Sequence, residues 1–133
     1  MPIKFHFRPD NNLIISVHKG IVKDDEFINS YRSLCENYLF KTGMNLLVDL
    51  RKADSSYRSS EGLYSIAGFL ESRYQDFNKE PKIAVLAPKN ISFGLARVFH
   101  ALSGNIPIEY SIFRSSEEAL SWLDAPNSLL EIQ

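Results

Sequence analysis

The chain opens on an alternation. Ile3, Phe5 and Phe7 interleave with Lys4, His6 and Arg8, the two-residue period of a half-buried strand. Pro9-Asp10-Asn11-Asn12 is turn chemistry, and residues 13–19 read as the returning strand, ended by Gly20. Cross-strand partners lie on one face, so grouping the apolar positions pairs Phe7 with Ile15 and Phe5 with Val17. His6 then opposes Ser16, His18 opposes Lys4, and the two histidines share the other face. Asp24 suits an N-cap, with Asp25 and Glu26 in the first turn of a helix. Phe27, Tyr31, Leu34, Cys35 and Tyr38 form its apolar face, and Thr42-Gly43 stops it.

The densest apolar run, residues 45–50, reads as a central strand that delivers a polar loop, residues 51–60, and a second helix from about Glu61. Leu63, Ile66, Ala67, Leu70, Tyr74 and Phe77 mark that helix, and Lys79-Glu80-Pro81 breaks it. Residues 82–87 are continuously apolar after Lys82, as in a strand covered on both faces. Asn90 is placed to cap a third helix with Ile91, Leu95, Val98 and Leu102 as its inward stripe. Ile108, Tyr110 and Ile112 alternate with polar residues, which predicts an edge strand. Ser115 and Glu118 then form a capping box for a short last helix. The order β-β-α-β-α-β-α-β-α predicts an α/β fold: a mostly parallel five-stranded sheet with an antiparallel first strand. Residues 1–124 are read as one domain and residues 125–133 as a loose or contact-making tail.

Composition narrows the function classes. Fifteen basic against sixteen acidic residues leave a net charge of -1, which argues against a general nucleic-acid binder. The single cysteine, Cys35, excludes an internal disulfide and a cysteine-cluster metal site, and reads as a small core residue. No stretch is apolar enough to span a membrane and the N-terminus has no hydrophobic signal core, so a cytoplasmic protein is expected.

Parallel sheets place their sites beyond the carboxyl ends of the strands. There the loops gather Arg51, Lys52, Arg58, Lys89 and Arg114 with the starts of three helices, near Ser60, Asn90 and Ser115. Such groups suit a phosphate or carboxylate ligand. Asp49, Asp54, Glu61, Glu117 and Glu118 can satisfy the same groups internally, and capping is the plainer reading. Asp49 resembles a strand-end catalytic carboxylate, yet pairing with Arg51 accounts for it as well. Arg97 is a ligand contact or a stem lying over apolar surface. No third ligand joins His6 and His18, no phosphate loop or nucleophile elbow is present, and neither a metal nor another cofactor is expected. Tyr57, Tyr64, Phe69, Tyr74 and Phe93 exceed what the inward stripes need, which suggests a partner surface, most simply that of a homodimer.

Leu47-Val48-Asp49-Leu50-Arg51, Ile83-Ala84-Val85-Leu86, Phe93-Gly94-Leu95-Ala96-Arg97-Val98-Phe99 and Phe113-Arg114-Ser115 leading to Glu118-Ala119-Leu120-Ser121-Trp122-Leu123 together resemble the SpoIIAA-like superfamily, which includes the STAS domains. They are similar to its small uncharacterised bacterial members, sometimes grouped with CRAL-TRIO lipid-binding folds. In the anti-sigma-factor antagonists of that superfamily an Asp-Ser-Ser-Gly-Leu segment carries a phosphorylated serine. The matching segment here is Arg58-Ser59-Ser60-Glu61-Gly62-Leu63, with Arg58 in place of the aspartate and Glu61 inserted. The resemblance implies a non-enzymatic regulatory or protein-interaction module. Its binding residues would be Asp49, Arg51, Arg58, Asn90, Arg97 and Arg114, and its phosphoacceptor Ser60 or, less well placed, Ser59. The alternative is a carrier of a small lipid-like or anionic ligand held between the second and third helices and the sheet end. An enzyme built on Asp49 with Arg97 or His100 ranks third.

Overall fold

A computed structural model describes residues 2–41, 43–75 and 80–130. Five strands, β1 (Ile3–Arg8), β2 (Leu13–Gly20), β3 (Asn45–Ala53), β4 (Lys82–Leu86) and β5 (Glu109–Phe113), form one sheet in the order β1-β2-β3-β4-β5. The first pair is antiparallel and the rest are parallel, as the element order predicts. Helices α1 (Asp24–Glu36), α2 (Ser60–Tyr74) and α3 (Asn90–Leu102) cross between successive strands. Each crossover steps the same way along the sheet, so crossovers of one hand put all three helices on one face. Tyr31, Leu34, Leu63, Ile66, Leu70, Ala96 and Phe99 accordingly pack with Ile14, Leu46, Val48, Ile83 and Val85. The other face is closed by α4 (Ser116–Trp122) and a last 3-10 turn, Asn127–Leu130, through Ala119, Leu120, Leu123 and Leu130 over Leu13, Ile15, Leu47, Ala84 and Leu86. Two coats explain why β3 and β4 read as dense apolar runs. Leu130, in the segment read as a loose or contact-making tail, is buried in the α4-side coat.

Four expectations are corrected. The hairpin pairs Phe7 with Ile14, Phe5 with Ser16 and Ile3 with His18, one residue out of the expected register. Because β2 is buried on both faces, its pattern does not choose a register. The four-residue turn, with Asn12 left-handed at φ 51°, decides it. His6 and His18 therefore lie on opposite faces. Second, α1 ends at Glu36, well before the expected stop, which leaves Tyr38 exposed beyond it; Thr42 lies outside the described residues, as do Phe77 and Lys79. Third, α3 turns Ser92, Ala96 and Phe99 inward, and leaves Ile91 58% and Val98 42% exposed. Fourth, Asp24 and Asn90 are first residues of their helices, following Lys23 and Lys89 at the caps. Both side chains are engaged by arginines instead: Asp24 by Arg58 and Asn90 by Arg114.

Candidate functional site

An apolar cavity of about 120 Å³ lies between the sheet and the three crossover helices. Its floor is the helix-facing row of the strands, Leu46, Val48, Leu50, Ile83 and Val85, and its roof is Leu63, Ile66 and Leu70 of α2 with Leu95, Ala96 and Phe99 of α3. Interiors normally hold few voids larger than a water molecule. Ser92 and Ala96 are the small side chains that α3 contributes to its lining. Its solvent-facing lining residues, Gly20 and Asp54, lie with half-buried Ser55 and Arg58 at the carboxyl end of β2 and β3, which places the mouth there.

The polar groups around that mouth are matched to one another. Ser55 Oγ lies 2.7 Å from Ser92 Oγ, joining the β3–α2 loop to α3. His18, 2% exposed, has Nε2 3.0 Å from the Tyr31 hydroxyl and 3.1 Å from Ser16 Oγ, which are themselves 2.6 Å apart. Burial pushes the His18 imidazole down to about 3, helped by the nearby Arg58 cation and opposed by Asp49, so it is neutral at pH 7. Burial likewise raises the Tyr31 phenol. Asp54 accepts from the Ser56 hydroxyl and backbone N–H, which holds its carboxyl below the usual range. Lys89 Nζ donates to the Ala53 carbonyl at 3.1 Å. Arg58, whose side chain is 13% exposed, ion-pairs with Asp24 of α1 and stacks its guanidinium 5.4 Å from the centre of the Phe27 ring.

The candidate residues read from the sequence fall on two sides of the sheet. Asp49 follows Leu47 on the α4 face, and accepts from Arg51 through the backbone N–H at 3.1 Å, Nε at 2.9 Å and Nη2 at 2.8 Å. Arg97 and His100 are exposed on α3, across the sheet from Asp49, so these residues do not assemble into the catalytic group considered above. Arg114 donates to the Pro88 carbonyl and to Asn90 Oδ1, and lies over the Phe93 ring at 4.1 Å. Ser59 caps α2 by accepting from the Gly62 N–H at 3.0 Å, and Ser60 is exposed at the first helical position. Among the named binding residues only Arg58 lines the cavity. Sequence reasoning missed His18, Tyr31, Ser55, Ser92 and Asp24. A signal was available for His18, an imidazole that shares a strand with Leu13, Ile14, Ile15 and Val17.

Of the surplus aromatics, Tyr57 and Tyr64 are exposed and Tyr74 is buried in the core. Among the described residues no group of three His, Cys, Asp or Glu side chains could hold a metal ion, and no helix is long and apolar enough to cross a membrane.

No protein-family model and no curated protein matches the chain. A solved structure does: an uncharacterised protein of the DUF3478 family with a SpoIIAA-like fold, from Shewanella loihica PV-4. It superposes with a TM-score of 0.60 over 91% of both chains at 15% sequence identity. The five-stranded mixed sheet with its four helices is a SpoIIAA-like fold.

Proposed function

We propose that this protein is a non-catalytic binding module that holds a small amphipathic ligand in the cavity under α1, α2 and α3. The single observation that supports the reading is the cavity itself, apolar along its length and polar only at one end. Ligand sites are typically concave and mostly apolar, with a few placed polar groups. A void of comparable size lined by aliphatic and aromatic side chains stays dry and takes up benzene-sized molecules. The ligand would lie along Leu46, Val48 and Val85 with its polar end toward Ser55, Ser92 and Arg58.

Native mass spectrometry of freshly purified protein, followed by NMR titration with 1-hexanol, tests this. A co-purifying small molecule, or hexanol-induced shifts confined to the cavity methyls, is the expected result. A clean apo mass together with no shift at those methyls overturns the reading.

A regulatory role at the same end of the sheet is the second reading, and the exposure of Ser60 at the start of α2, with exposed Tyr57 and Tyr64 on either side in sequence, favours it. Incubation with cell lysate and ATP, then phosphosite mapping, should return Ser60. An unmodified loop counts against the switch.

A further inference from the structure

Resting on the ligand-holding reading, we infer that the cavity takes a small monocarboxylic acid, and that its carboxylate displaces Asp24 from Arg58. Among the described residues, Arg58 is the one lysine or arginine in the lining of a mostly apolar space. Its guanidinium is largely withdrawn from water, and its anionic partner comes from another helix, 34 residues away in sequence. A carboxylate of the protein therefore already holds the guanidinium that lines the polar end of this cavity.

The niche fits that group closely. The Asp24 carboxylate lies against the backbone of Gly62, in the first turn of α2, where a Cβ would fall directly on it. Phe27 stacks on the guanidinium and helps fix its orientation. Asp24 is 38% exposed on its side chain, so on release it turns into water rather than into the core. Arg58 lacks that option at comparable cost: a cation this buried needs an anion beside it.

Charge makes the event an exchange rather than an addition. Asp54 lies at the same mouth and stays ionised, held so by Ser56. A ligand carboxylate entering with Asp24 still in place would put three acids around Arg58 and Lys89. Swapping one carboxylate for another leaves the local charge unchanged, and the ligand gains the apolar contacts of the cavity, which Asp24 does not use. The other polar lining groups offer no equivalent, since Ser55 with Ser92 and His18 with Tyr31 and Ser16 are already matched. The cavity volume sets the scale of the tail at about five or six carbons, by analogy with a benzene-sized occupant.

The test compares hexanoate with 1-hexanol, equal in chain length, on the full chain at pH 7 by calorimetry and NMR. Hexanoate should bind at least fivefold more tightly than hexanol. Asp24→Asn removes the competing charge, so it should tighten hexanoate at least threefold further and leave hexanol unchanged. Arg58→Gln should abolish the preference for the acid and keep hexanol binding; Arg58→Lys, which retains the charge, should keep part of that preference. Hexanol bound as well as hexanoate by the native chain overturns this inference and leaves the cavity reading intact. Unchanged or weaker hexanoate binding in Asp24→Asn overturns the exchange. Binding of neither probe overturns both.

Discussion

The two faces of the sheet are made from the same three inner strands, yet they are packed differently. On the α4 face, Ile15, Leu47, Ala84 and Ala119 keep no exposed surface at all. On the three-helix face, Val48 and Leu70 each keep 9% although helices cover them, and both line the cavity. An apolar void of about 120 Å³ costs on the order of 3 kcal/mol at roughly 24 cal/mol per Å³. That is a sizeable share of a domain's net stability, about 5–15 kcal/mol. One short helix and a 3-10 turn suffice to close the first face, whereas three longer helices leave the second open. The number of covering elements therefore does not explain the void.

The comparison breaks most visibly under truncation. Leu47→Ala opens a hole on the closed face and should cost about 4 kcal/mol, in the upper part of the range for buried leucines. Ile66→Ala removes a side chain that already lacks neighbours on its cavity side, and should cost about 2 kcal/mol. Urea unfolding of both variants measures the difference, and equal costs would mean that the two faces are packed alike. Enlargement should reverse the sign. Ala119→Leu overpacks the closed face and should lose about 2 kcal/mol. Ala96→Leu grows into the cavity and should gain about 1 kcal/mol, as cavity-filling changes do, while losing hexanol binding. A loss in both variants would show the cavity to be unable to accept added carbon.

These faces were unequally legible in the sequence. The order of elements, the central place of β3 and the double coating of β4 followed from period and apolar run length, since each is local. The hairpin register was not, because the face of β2 that carries Ser16 and His18 is buried, so polarity does not mark a solvent side. The α3 stripe was displaced for a related reason. Large aliphatics at 91 and 98 suggested the inward face, while the residues that turn inward include Ser92 and Ala96, both small. Asp49 with Arg51 was readable as a pair because two residues on one strand face lie side by side. Arg58 with Asp24 was not readable, since folding alone brings a loop and a distant helix together. A cavity is harder still, being a property of what several elements fail to fill.

Asp49 is buried on one face and His18 on the other, and the last prediction uses that contrast. Asp49 on the closed face is matched by Arg51, so its charge is compensated. His18 on the cavity face has hydroxyl partners and a nearby cation, Arg58, and is held neutral, with its pKa lowered from 6.5 to about 3. The unfolded chain takes up a proton at His18 near pH 6.5 and the folded chain does not until about pH 3. The stability this protects is complete above pH 6.5 and falls as the pH drops through the interval between those values. One proton's difference amounts to about 1.4 kcal/mol per pH unit, so about 2 kcal/mol should be lost between pH 7 and pH 5 through this residue. His18→Gln retains hydrogen-bonding groups for Tyr31 and Ser16 and cannot protonate. Urea unfolding of both chains at the two pH values isolates the contribution, because the other titrating groups are common to both. Parallel pH dependence in the two chains would mean that the cavity face tolerates a charged imidazole, and that the space beside it already admits water.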